Sequence, residues 1–288
     1  MDEKIVEDRV FGKPETFPAT LPSPAPLPVD LFSVAVDGAE VRYGAQGTAA
    51  KSPLVFLHGW GASHRFWRNT LPAFSPRYRC VAPDLPGFGL SEKPVRDYAV
   101  ESFVPWLRKF LDALEIGRAP IVAHSMGGTI ALLFALEHPE RVERLVVVNP
   151  LVRGPTAFTK RSRLLMLPGL RAIAYALAQC GPFRRWVAKD FSFVQRLDAD
   201  LADDMARMTY RSAIPSMVSL ARTDLVPRLS GLTVSTLAVG TDRDLVVEAG
   251  QHTLIPSAHQ VTIPETGHMP MLERPREFNA ILDDWLRR

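Results

Sequence analysis

Apolar and polar positions along this 288-residue chain fall into a repeating order. Short runs dominated by apolar residues, Pro53-Leu54-Val55-Phe56-Leu57, residues 78–82, Ala119-Pro120-Ile121-Val122 and Leu145-Val146-Val147-Val148, have the length and composition of strands. Segments with helical spacing follow some of them, Thr129-Ile130-Ala131-Leu132-Leu133-Phe134 among them. Strand alternating with helix predicts a mostly parallel sheet with helices on both faces. Near the start, residues 31–36 and 40–43 flank Asp37-Gly38-Ala39, a hairpin signal. Near the end, a strand over 259–263 precedes a helix over 274–286.

Two stretches break this order. Residues 1–30 carry Pro14, Pro18, Pro22, Pro24, Pro26 and Pro28. Prolines at alternate positions forbid a helix and favour extended chain, so this segment reads as an arm along the domain or as disorder. The second break follows the strand ending at Asn149-Pro150, because the next clear strand begins near Ser235. That gap is too long for one crossover and is rich in helical pattern. The expected organisation is a core of residues 31–150 and 229–288, with residues 151–228 inserted as a helical cap.

Chemistry concentrates where the pattern changes from strand to helix. Ala123-His124-Ser125-Met126-Gly127-Gly128 places a serine between the run 119–122 and the helical run 129–134. A serine on such a turn, with small residues two positions away on either side, is a nucleophile-elbow pattern. The reason is steric: the chain reverses sharply with the serine in a strained conformation, and bulky neighbours would clash. Ala123 and Gly127 are those neighbours. A serine hydroxyl needs a base and an orienting carboxylate, expected in the order serine, acid, histidine. His268, in Thr266-Gly267-His268-Met269-Pro270 after the strand 259–263, is the candidate base. In Gly240-Thr241-Asp242-Arg243-Asp244-Leu245-Val246-Val247 two carboxylates compete for the acid, Asp244 and Asp242. Candidate oxyanion donors are the backbone N–H of Met126, at a helix N-terminus, and that of Trp60, in the loop after the strand 53–57.

Leu57-His58-Gly59-Trp60-Gly61, Asp84-Leu85-Pro86-Gly87-Phe88-Gly89-Leu90-Ser91, the segment around Ser125, and Gly267-His268-Met269-Pro270-Met271-Leu272-Glu273-Arg274-Pro275 together resemble the successive motifs of the α/β-hydrolase superfamily, from about residue 31 to the C-terminus. The resemblance implies an α/β-hydrolase fold with a lid and an esterase-like serine hydrolase acting on a small-molecule ester. It also implies a buried supporting role for His124. Asp84 reads as a turn-pinning residue and His58 as a prop for the oxyanion loop. The resemblance favours Asp244 as the acid, with Asp242 the alternative, because a carboxylate followed by two residues and a valine is similar to the family's spacing after this strand. Relatives with an aspartate nucleophile, the haloalkane dehalogenases and epoxide hydrolases, are disfavoured by Ser125. Hydrolases of C–C bonds of the meta-cleavage type are a second reading, weakened by Met269 and His124 where those enzymes resemble one another in other residues. A hydrolase-fold small-molecule receptor is a third.

Composition narrows the partners. A net charge of +3 is too small to argue for nucleic acid. Cys80 and Cys180 lie far apart and no disulfide is expected. His64, His138, His252 and His259 show no metal-ligand spacing and read as surface or packing residues, and no phosphate loop appears, so no cofactor or metal is expected. The first residues lack a secretory signal pattern and no run is long enough to span a membrane, which suits a cytoplasmic protein. From 160 to 189 the chain carries Lys160, Arg161, Arg163, Arg171, Arg184, Arg185 and Lys189 with no acid, interleaved with apolar residues such as Leu170, Ile173 and Leu177. A solvated lid is the plain expectation; peripheral contact with anionic lipid is the sharper one.

Overall fold

In the computed structural model, residues 29–160, 163, 167–182 and 199–288 are described. Nearly all of the proline-rich arm lies outside them, as do Arg161, Arg184, Arg185 and Lys189 of the basic stretch.

The strands are β1 (Asp30–Val36), β2 (Ala39–Gln46), β3 (Pro53–Leu57), β4 (Arg79–Pro83), β5 (Ala119–His124), β6 (Val142–Val148), β7 (Thr236–Thr241) and β8 (His259–Ile263). They form one sheet in the order β1-β2-β4-β3-β5-β6-β7-β8. β1 pairs with β2, and β2 with β4, antiparallel; every other neighbouring pair is parallel. The Asp37-Gly38 turn closes the first hairpin, both residues at positive φ (53° and 77°). β6 begins three residues earlier than the apolar run 145–148 suggests. Its first turn of pairing carries Glu143 and Arg144, and the register against β5 is irregular there, so the polar residues hid the strand's start.

The central strands are apolar on both sides because both sides are covered. On β3, Val55 and Leu57 face one apolar cluster while Leu54 and Phe56 face the other. Leu145 and Val147 of β6 likewise oppose Val146 and Val148. The first cluster includes α1 (Phe103–Ala113) and α2 (Met126–Glu137). The second includes the C-terminal helix Pro275–Arg287, whose Phe278, Leu282 and Trp285 recur at helical spacing. α2 is buried from Met126 to Ala135, which is why its sequence is apolar all round rather than along one stripe.

Between β6 and β7 the described residues include α3 (Pro168–Ala178), α4 (Ala199–Ala206) and α5 (Tyr210–Arg222). α5 begins at Thr209, whose hydroxyl accepts the Ser212 N–H while Ser212 Oγ takes the Thr209 N–H, a reciprocal cap. It docks on the loops after β4: Ser212 Oγ donates to the Gly87 carbonyl (2.9 Å), and Ser219 Oγ accepts the Val100 N–H (3.0 Å). No described helix is long and apolar enough to cross a membrane.

Candidate active site

The carboxyl ends of β3, β5, β6, β7 and β8 converge on one place. Ser125 follows β5 and opens α2 with φ 53° and ψ −119°, a conformation that side chains rarely adopt. It is held there from both sides: its N–H donates to the Val148 carbonyl (2.9 Å) and its carbonyl accepts the Thr129 N–H (3.1 Å). α2 can begin this close to the sheet because residue 127 is glycine. A Cβ at Gly127 would lie 2.6 Å from the His58 carbonyl oxygen and 2.7 Å from that of Leu57. The loop after β3 approaches equally closely, since a Cβ at Gly59 would lie 3.0 Å from Ser125 Cβ. The Met126 N–H sits in the first turn of α2, among the donors that have no intrahelical acceptor.

Around the serine the structure brings together side chains far apart in sequence. His268 Nδ1 lies 2.7 Å from Asp244 Oδ2, and His268 Nε2 lies 3.1 Å from Ser125 Oγ. A carboxylate only accepts, so Nδ1 carries the proton and the bare Nε2 accepts from the serine hydroxyl. Asp244 is itself fixed, its Oδ1 accepting the N–H groups of Val246 (2.8 Å) and Val247 (2.9 Å). Asp242, two residues earlier, turns away from His268. Its Oδ1 accepts the Thr266 N–H at 3.3 Å and its side chain is 40% exposed, against 3% for Asp244.

The loop bearing His268 is clamped through its backbone. The His268 carbonyl accepts from His124 Nε2 (2.8 Å) and from Asn149 Nδ2 (3.1 Å). Glu273 takes the N–H groups of Gly267 (2.9 Å) and Met269 (3.0 Å). Asn149 stands at φ 43°, in the region asparagine tolerates best among residues other than glycine, and it also bonds Thr241. Because His124 donates through Nε2, its Nδ1 is left as a buried acceptor without a hydrogen-bond partner. Burial first, and the neighbouring His268 second, hold the His124 pKa well below its ordinary value, so this ring stays neutral beside the candidate base.

A second polar network braces the loop after β3. His58 Nδ1 donates to the Gly59 carbonyl (2.7 Å) and its Nε2 accepts the Leu85 N–H (2.9 Å). Burial lowers the His58 pKa, an effect that Asp84 partly opposes. Asp84 accepts from the His64 backbone N–H (2.6 Å), the His64 ring (2.8 Å) and the Leu90 N–H (2.7 Å). Burial pushes its carboxyl up, but the His64 contacts outweigh that and the net pKa lies below the usual carboxylate value. His64 is therefore a buried, hydrogen-bonded tie between two loops rather than a surface residue.

A family model described as alpha/beta hydrolase fold matches residues 52–275. This chain belongs to the α/β-hydrolase family. Among relatives of this α/β hydrolase is the dihydrolipoyllysine-residue acetyltransferase component of the acetoin cleaving system of Cupriavidus necator, 29% identical over 86% of this chain and 66% of that protein. A pimeloyl-[acyl-carrier protein] methyl ester esterase of Aeromonas hydrophila is 28% identical over 81% of this chain and 94% of its own length. Among solved structures, a membrane phospholipase A superposes with a TM-score of 0.77 and 26% identity, covering 90% of this chain and 86% of that one. The family and its named relatives support a hydrolase.

Several site contacts of this α/β hydrolase escaped the sequence reading. Asn149 carried one signal, an Asn-Pro step at the end of a strand. Glu273 carried another, an acid five residues after the candidate base. Asp204, discussed below, carried none.

Proposed function

We propose that this protein is a serine hydrolase of carboxylic esters, with Ser125 as nucleophile, His268 as base and Asp244 as orienting acid. The observation that supports this most is the continuous hydrogen-bonded chain from Asp244 through His268 to a serine held at φ 53° on a helix N-terminus. In the reaction, Ser125 Oγ attacks the ester carbonyl while His268 Nε2 takes its proton. The oxyanion of the tetrahedral intermediate accepts from the N–H groups of Met126 and Trp60. Collapse breaks the C–O bond to the alcohol, which leaves with the proton from His268. Water, deprotonated by His268, then attacks the acyl-enzyme and releases the acid and Ser125.

The segment between β6 and β7 serves in this reading as the cap, and an apolar or lipid-like ester is the substrate class it suits. Leu167, Leu170, Ile173 and Leu177 are 52%, 38%, 56% and 41% exposed along one stripe of α3 and its leading residue, and the exposed Lys160 and Arg163 lie nearby in sequence. Apolar side chains bordered by cations favour contact with an anionic lipid surface. Co-sedimentation with vesicles should rise with anionic lipid content and fall with salt; binding indifferent to both removes the lipid part of the proposal.

The central test is labelling with a fluorophosphonate probe together with turnover of short p-nitrophenyl esters. Wild type should be labelled and turn over many times, and Ser125→Ala should do neither. Labelling with a single turnover would instead indicate a receptor, and faster cleavage of a vinylogous diketone than of any ester would indicate a C–C bond hydrolase.

A further inference from the structure

The oxyanion loop is gripped also by the segment between β6 and β7. Asp204 of α4 is 1% exposed and receives three donors. Ser63 Oγ donates to its Oδ2 at 2.5 Å, the Arg65 guanidinium donates to its Oδ1, and Arg207 Nε lies 3.4 Å from the same oxygen. Ser63 and Arg65 belong to the loop and short helical turn that follow Trp60, and Ser63 caps that turn by accepting the Arg65 N–H. Three residues before Ser63, the Trp60 indole Nε1 donates to the Ala213 carbonyl of α5 (3.0 Å). Between these anchors Gly61 stands at φ +72°, and a Cβ there would lie 3.4 Å from Met205 Cγ and from Met208 Cε.

We infer that Asp204 is a positioning residue: with Ala213 it clasps residues 60–65 and thereby sets where the Trp60 N–H points. The inference rests on the reading of Trp60 as an oxyanion donor. A nearly fully buried carboxylate is expensive to desolvate and is retained where its partners hold it. Here every partner besides Arg207 lies on the oxyanion loop, 139 and 141 residues away in sequence. Stability alone would not require the anchors to bracket Gly61, next to the Trp60 peptide, on both sides. A donor that drifts by even 1 Å from the oxyanion loses on the order of 10²-fold in rate, so a clasp at both ends of a glycine-containing loop has a direct chemical consequence. The peptide of Gly61, free of a Cβ and at positive φ, supplies the local looseness that the clasp removes.

The test uses Asp204→Asn, Asp204→Ala and Trp60→Phe in the full chain, with two readouts. The first is hydrogen exchange of the amides of residues 58–65. The second is the ratio of kcat/KM for an ester to that for the matching thionoester, whose sulfur accepts hydrogen bonds weakly and gains little from oxyanion donors. Exchange in this loop should accelerate about 10-fold or more in Asp204→Ala, less in the other two. Ester kcat should fall on the order of 10- to 100-fold with KM little changed, while the thionoester rate stays within about threefold. Unchanged exchange in the loop overturns the clasp. Ester and thionoester rates falling together overturn the positioning role and leave only a structural one. Should wild type hydrolyse no ester, the proposed function fails, and hydrogen exchange still decides whether Asp204 clasps the loop. Asp204→Asn and Trp60→Phe keep the question open to refutation if Asp204→Ala does not fold.

Discussion

Two neighbouring glycines, Gly127 and Gly128, separate the steric logic of the elbow from ordinary helix propensity. Both lie in the first turn of α2, where alanine is intrinsically favoured over glycine by about 1 kcal/mol. At Gly128 the added methyl would meet Pro150 Cβ at 3.1 Å and Pro150 Cα at 3.4 Å, close but short of overlap. At Gly127 it would meet two backbone oxygens of the β3 end, at 2.6 and 2.7 Å. Restoring an ordinary contact there requires moving α2 away from β3 by roughly 0.5 Å or more, and β3 is a central strand paired on both sides. Overpacking of this kind costs about 1–3 kcal/mol, so Gly127→Ala should be destabilised by about 2 kcal/mol after the propensity gain is subtracted from the upper end. The displacement also moves the Met126 N–H relative to Ser125, at the limit of about 0.5 Å within which a catalytic geometry survives. Ester kcat should therefore fall on the order of 10-fold or more. Urea unfolding and steady-state kinetics of Gly127→Ala and Gly128→Ala, measured side by side, give the comparison. If Gly127→Ala keeps the wild-type urea midpoint and its kcat stays within twofold, the close approach of α2 to β3 is not what makes residue 127 glycine.

Other outcomes follow from the same geometry. Asp244→Asn should lower kcat on the order of 10⁴-fold by favouring the wrong His268 tautomer, whereas Asp242→Asn, which keeps an oxygen to accept the Thr266 N–H, should stay within about threefold; equal effects in steady-state assays would contradict the assignment. Ser125→Gly should unfold at higher urea than Ser125→Ala, by about 1–2 kcal/mol, because only alanine keeps the Cβ that strains φ 53°; both should lose activity. His58 and His124 have folded pKa values below the 6.5 of the free side chain, so below that pH the unfolded chain binds protons that the native one refuses. Their contribution is complete above about pH 7 and is lost as pH falls, at no more than about 1.4 kcal/mol per pH unit for each ring; a urea midpoint unchanged between pH 7.5 and 5.5 would contradict this.

Much of the core was legible because its signals are local. β3, β5 and β7 are mostly apolar or β-branched runs, and Ser125 is framed by residues within two positions of it. The hairpin was legible from Asp37-Gly38, and the candidate base from a loop placed after the last strand. β6 was legible only where it is apolar, since Glu143 and Arg144 sit at its exposed start.

The sequence by itself determined the strand–helix alternation and the steric frame of the elbow, because backbone geometry and side-chain size act over a few residues. It also ordered the candidate serine, acid and histidine along the chain. Only the tertiary structure decided that Asp244 rather than Asp242 reaches His268, since both follow the same strand and differ by which way a turn faces. The partners that aim the groups are likewise non-local. His124 meets the His268 carbonyl across 144 residues, Asn149 across 119, and Asp204 meets Ser63 across 141. No periodicity encodes such pairs; they exist because strand order places β5, β6 and β8 within reach of one loop, and because the segment between β6 and β7 folds back onto the turn after β3.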